Sequence, residues 1–323
     1  MVSSTGLHPD DTVRNRLVVA VDGQITACVV PAGSPEYPSM ADHLSYGLFA
    51  INMGPGSQPS GAVRLARAAE AAGFDSLWAG EHVVMPDPRT PQSMMEPDEP
   101  ILDPLIAFAF LAGQTTTIRF GTGIIILPQR NPLVLAKEVA SLDALSGGRL
   151  TLGLGVGYLE PEFRALGIPF PQRGARADDY LAAMRAIWEQ EHPAHDGPFF
   201  SFAGVQAAPR PHHLPIVFGG ESLASYRRSV ASADGWYGFS LDVDGARAAI
   251  AGLREMAGQV ERPAGLGRLE ISVTPRGIPS RDEALQYADL GVDRLILWPQ
   301  TDLDEEDVLR IIDQVGTELI GRT

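Results

Sequence analysis

A strand-then-helix rhythm recurs eight times between Leu44 and Thr323, and it constrains this 323-residue chain more than any other feature. The apolar and β-branched runs predict strands at 46–51, 76–79, 119–127, 150–154, 216–218, 235–239, 269–274 and 294–298. Helices are predicted between them at 61–72, 103–114, 132–145, 176–188, 222–233, 245–257, 281–290 and 305–316. The punctuation agrees with this reading. Gly73 and Gly147-Gly148 follow helices as stops, and Asp103 with Pro104 opens one as cap and first turn. Eight such pairs in a segment of this length point to an α/β protein of the (β/α)8 TIM-barrel class. The rival is an open doubly wound sheet with a glycine-rich dinucleotide loop after its first strand. The stretch Phe49–Gly56 has only Gly54 and Gly56, so that loop pattern is absent.

Residues 1–43 stand apart as an N-terminal extension in front of a barrel domain at 44–323. Two apolar runs, 17–21 and 25–30, flank Asp22-Gly23 and suggest a short hairpin. Pro31, Gly33, Pro35 and Pro38 then read as a linker. A true start at Met40 fits the same pattern.

Charge and composition exclude several function classes. The net charge of -15 repels polyphosphate backbones, which argues against nucleic-acid partners. No apolar run is long enough to span a bilayer, and residues 1–11 lack a secretory pattern, so a cytoplasmic protein without a membrane partner is expected. Cys28 is the single cysteine, which excludes an internal disulfide and a cysteine-only zinc site. Lys137 is the only lysine among 25 basic side chains, a bias that suggests a GC-rich bacterial genome.

In a TIM barrel the chemistry sits where the strands end. His82 follows the second strand, and a histidine there can pass a proton or donate to a bound ring. Gly153-Leu-Gly-Val-Gly-Tyr158 follows the fourth strand, with glycines that let backbone amides approach a ligand. Gly219-Gly220-Glu221-Ser222 follows the fifth and opens a helix, a ready anion site. Two such loops on one barrel face suit a phosphorylated cofactor. Trp236 and Trp298 read equally as core or as pocket walls. His192, His195, His212 and His213 read as a solvent-facing linker, and no metal site is expected.

The run Phe120–Tyr158, FGTGIIILPQRNPLVLAKEVASLDALSGGRLTLGLGVGY, resembles the bacterial luciferase-like monooxygenase superfamily. Gly73–His82, Pro171–Trp188 and Pro215–Ser222 support the resemblance, which covers about 44–323. It looks most like the branch that uses coenzyme F420, a deazaflavin (8-hydroxy-5-deazaflavin), and FMN is the alternative cofactor. The resemblance implies a cofactor at the C-terminal mouth and a non-proline cis peptide at Gly123–Ile124. It implies cofactor contacts from Phe49, Glu81, His82, Gly123, Ile124, Gly155, Gly157, Tyr158, Gly219, Gly220, Glu221 and Ser222. His82 and Tyr158 are the candidate catalytic residues. Sugar-phosphate dehydrogenases of this family carry an acidic residue after the strand-four glycines, and Tyr158 occupies that place here. That departure argues against their alcohol-oxidation chemistry.

These readings converge on an F420-dependent oxidoreductase that transfers hydride to or from a small organic substrate. An FMN-dependent monooxygenase and a cofactor-binding barrel without turnover are the alternatives. The branch is also associated with actinobacteria and with homodimers. Loops 83–100 and 159–170, with Met85, Met94, Phe163 and Phe170, suggest a fairly apolar substrate.

Overall fold

Eight short parallel strands close on themselves between Ser45 and Leu297. The computed structural model describes residues 44–300 and 302–323, together with the backbone of Leu17–Val21 and Gln24–Cys28. The chain divides into two units, Met1–Ser39 and Met40–Thr323. In the first unit, Leu17–Val21 and Gln24–Cys28 pair antiparallel, with Leu17 opposite Cys28 and Val21 opposite Gln24. The expected turn at Asp22-Gly23 and linker at 31–43 lie outside the described residues.

The barrel strands are β1 Ser45–Leu48, β2 Ser76–Ala79, β3 Arg119–Thr122, β4 Leu150–Gly155, β5 Ile216–Gly219, β6 Gly235–Gly238, β7 Glu270–Val273 and β8 Arg294–Leu297. Each pairs in parallel with the next in sequence. The ring closes where Leu297 lies opposite Leu48 and where Phe218 lies opposite Leu154. This is the (β/α)8 TIM barrel that the strand–helix rhythm and the resemblance predicted. Among the described residues, no helix is long and apolar enough to cross a membrane.

Local chemistry sets the helix boundaries. The helix α1, Pro59–Ala72, ends on Gly73 at φ 89°. In α2, Pro104–Ala112, the Asp103 side chain accepts from the amides of Leu105 and Ile106. In α3, Pro132–Ser146, Asn131 does the same for Leu133 and Val134, and Gly147 ends the helix at φ 71°.

The third strand departs from expectation. It does not run unbroken over 119–127. It stops at Thr122, and the Gly123–Ile124 peptide is cis, as the resemblance implied. Ile125–Ile126 then pairs with Leu154 and Gly155, and a single 3-10 turn covers Leu127–Gln129. A pattern of β-branched residues carries no sign of this break.

Two apolar cores hold the barrel. One lies between the sheet and the helices. The other fills the interior around Phe49, Trp78, Val217, Tyr237 and Ile296. Trp78 fits inside because β1 and β3 present glycine beside it. A Cβ on Gly47 or Gly121 would lie 2.8 or 2.6 Å from the indole. Below Trp78, Arg294 bridges Asp75, at 2.8 Å, and Glu270. Above it, the Tyr237 ring lies 5.6 Å away, and its hydroxyl meets Thr274 Oγ1 at 2.7 Å. An ionic floor and an aromatic column therefore support whatever sits at the strand ends.

Candidate active site

The column opens into a cavity of about 330 Å³ at the C-terminal mouth. That size falls within the range of small-molecule sites. Phe49, Tyr237, Phe239 and Trp298 supply aromatic wall, and Met53, Met94 and Met95 add flexible apolar surface. Backbone forms much of the remainder, at Gly80, Gly123, Gly157, Gly219 and Gly220. Glu81, His82 and Tyr158 bring polar groups to it.

Nine of the twelve expected cofactor positions line this cavity: Phe49, Glu81, His82, Gly123, Ile124, Gly157, Tyr158, Gly219 and Gly220. Gly155, Glu221 and Ser222 do not. Gly155 makes room for a neighbour, since a Cβ there would lie 1.7 Å from Ile124 Cδ1. Ser222 caps α6, Leu223–Ser232, by accepting from the Ser225 amide at 3.2 Å. Glu221 is exposed beside it. Met85 and Phe170 also lie outside the lining, and Phe163 is fully buried beneath Gly157. Trp236 is core, and its indole donates to the Gly220 carbonyl at 2.8 Å.

Glu81 spends both carboxylate oxygens on the protein. Oε2 accepts from the Ile126 amide at 2.6 Å, and Oε1 accepts from Arg130 Nε at 2.8 Å. Arg130 also reaches Asp103, the cap of α2. Burial pushes the Glu81 carboxyl up, and the Arg130 guanidinium opposes that. The group therefore holds the segment after Gly123–Ile124 in place.

His82 is the chemically open residue. Its Nε2 lies 3.4 Å from the Tyr158 hydroxyl, and the two rings meet edge to face at 5.8 Å. Its Nδ1 lies 3.2 Å from Glu162 Oε2. Burial and the nearby Glu162 charge push the Tyr158 phenol up, so it keeps its proton at neutral pH.

The sequence reading missed Glu162. The signal was present in the short helix α4, Glu160–Ala165. Leu159, Glu162 and Phe163 are buried and share one helical face, so a carboxylate sits within an apolar stripe. Buried carboxylates need partners. Arg173, which opens α5, Arg173–Glu189, was missed as well; it donates to the Gly157 carbonyl at 2.9 Å and stacks on Phe170. Among the described residues, no group of three or more His, Cys, Asp or Glu could hold a metal ion, and His195 pairs with Asp179 at 2.8 Å.

The residues present fit a flat conjugated ring with a phosphorylated tail. Aromatic and glycine surfaces leave a slot for the ring. Gly220, at φ 110°, takes a backbone shape that side chains rarely adopt, and the start of α6 follows it. The indole N–H of Trp298 is buried without a hydrogen-bond partner among the described residues, and a ring carbonyl would satisfy it.

Comparison with known proteins agrees with this geometry. The model of the luciferase-like monooxygenase family matches residues 41–309. The chain belongs to that family. An uncharacterised protein of Mycobacterium tuberculosis is 30% identical over 287 residues, covering 85% of this chain and 99% of the relative. Among solved structures, the monooxygenase RslO1 of Streptomyces bottropensis superposes with a TM-score of 0.71 at 20% identity, over 86% of this chain and 99% of that one. An F420-dependent secondary alcohol dehydrogenase, solved with an F420–acetone adduct, gives 0.69 at 15% identity, over 87% and 99%. At these identities the two structures share the fold of this family member.

Proposed function

We propose that this luciferase-like protein is an oxidoreductase that uses coenzyme F420 to move hydride to or from a small, fairly apolar substrate. The observation that carries the proposal is the His82–Tyr158 pair on the rim of an otherwise apolar, aromatic-walled cavity at the barrel mouth. Bound deazaflavin would supply or accept the hydride. The protein orients the partners, excludes water and handles the proton. With a carbonyl substrate, reduction places the hydride on the carbonyl carbon and the π pair of the C=O bond on its oxygen. That oxygen takes the Tyr158 proton, and His82 or solvent restores the phenol. The reverse direction uses the same groups in the opposite order. Gly157 and Gly219–Ser222 are proposed to hold the tail, with α6 facing its phosphate.

An FMN-dependent monooxygenase is the second reading, favoured by the likeness to a monooxygenase structure. Fluorescence titration of the apoprotein with each cofactor separates the two. Tighter binding of F420 is expected, and tighter binding of FMN would overturn the proposal. Action in the cytoplasm as a homodimer belongs to the same proposal. Its contact would use the outer face of α2, which has no charged residue and leaves Ile106 and Phe110 exposed.

A further inference from the structure

We infer that Glu162 is a positioning residue that fixes the tautomer of His82 and fastens the loop that follows it. Glu162 is 1% exposed, yet none of its hydrogen-bond partners among the described residues is a lysine or arginine. Its oxygens divide between two tasks. Oε2 faces His82 Nδ1 at 3.2 Å, and Oε1 accepts from the Val83 amide at 2.7 Å. The Val84 amide adds a longer contact to the same oxygen, at 3.5 Å.

An ionised carboxylate can only accept hydrogen bonds. With the carboxylate as acceptor, the proton of this contact is assigned to Nδ1 of His82. In the neutral imidazole the lone pair then lies on Nε2, the nitrogen that faces Tyr158. This orders a chain from carboxylate to imidazole to phenol, with the basic nitrogen turned toward the cavity. It also answers the departure seen in the sequence. Tyr158, not a carboxylate, directly follows the strand-four glycines, yet a buried carboxylate acts through the histidine from four residues beyond it. His82 Nε2 can thus take up a proton, through Tyr158, from a substrate hydroxyl as hydride leaves its carbon. The oxidising direction needs no carboxylate in the cavity itself.

The second task concerns the loop that carries Met94 and Met95 to the cavity. It leaves the barrel at Val83, which is 48% exposed. Glu162 anchors its first amide, so the histidine and the loop entrance are registered to one carboxylate.

The inference rests on the reading of His82 as the proton-handling group, but its test needs no cofactor. Nitrogen-15 NMR of the apoprotein reports the His82 tautomer, with His82→Gln used to assign its signals among the seven histidines. The neutral wild-type ring is expected to be protonated on Nδ1. Glu162→Gln keeps the shape and can still accept from Val83, but it turns an amide N–H toward Nδ1. The tautomer should switch to Nε2–H. Hydrogen exchange should show the Val83 amide protected in the wild type by about tenfold or more, as a charge-assisted bond implies. A wild-type ring protonated on Nε2, a tautomer unchanged by Glu162→Gln, or a Val83 amide that exchanges like free loop would overturn the inference. The wild-type measurements decide even if the variant fails to fold. A preference for FMN in the cofactor titration would leave the tautomer result standing.

Discussion

At the scale of single residues, this site separates a carboxylate spent on the fold from an imidazole open to the cavity. Glu81 and His82 are adjacent at the mouth of β2, yet they do different things. Glu81 is taken up by Ile126 and Arg130, whereas His82 keeps Nε2 turned to a phenol on the cavity rim. His82→Ala should therefore lower hydride-transfer turnover by about 10²- to 10⁴-fold, the range of general acid–base catalysis, with a much smaller loss of cofactor affinity. Cofactor titration and turnover measured on one preparation check this. Unchanged binding together with unchanged turnover would make His82 structural. The placement of His82 and Tyr158 at the cavity was legible in the sequence because barrel topology gathers strand ends at one mouth. The sequence made Glu81 legible as a position but not as a role, since its partner Arg130 lies 49 residues further along the chain. Glu162 was readable only by asking why a carboxylate interrupts the stripe of Leu159 and Phe163.

At the scale of elements, the helices were read more faithfully than the loops. Arg281–Leu290 matched its predicted bounds, because Ser280 and Glu283 form a reciprocal cap and Gly291 turns the chain at φ 92°. The break after Thr122 was invisible in the residue pattern and came only from resemblance. Gly155 shows how tightly that break is seated. Its missing side chain accepts Ile124, while Gly219 leaves room on another side of the same residue, where a Cβ would lie 3.1 Å from Ile124 Cγ2. Gly155→Ala should force Ile124 to move, at a cost of about 1–3 kcal/mol typical of overpacking. Because Ile124 lines the cavity, cofactor affinity should fall along with the melting temperature. A variant with wild-type melting and wild-type affinity would show that this wall yields freely. At the fifth strand a Gly-Gly motif located the strand end; Gly219 and Gly220 line the cavity, and Ser222, just beyond it, caps α6.

At the scale of the whole molecule, the net charge of -15 bears on how copies of this chain could meet. Two such molecules repel at long range, and salt confines that repulsion to about 8 Å at physiological ionic strength. A stable contact then needs a face with little charge of its own. The helix α2 provides one: its nine residues carry no charge, and it is apolar on all sides, a composition typical of a covered helix. Its inner side packs into the barrel shell, but Ile106 remains 72% exposed and Phe110 45%. Val134 and Leu145 on α3, which packs against α2, are exposed as well. We expect sedimentation at physiological salt to give twice the chain mass of 34.6 kDa. Ile106→Glu combined with Phe110→Glu should shift it to a single chain, because each interface would bring like charges onto its own symmetry mate. Both side chains already meet water, so the change should alter folding stability by little more than about 0.5 kcal/mol per site. Reduced sedimentation with the native circular-dichroism spectrum retained would support this face as the contact between copies. A wild-type chain that sediments alone, or a double variant that still pairs, would remove α2 from that role and leave the barrel and its cavity as described.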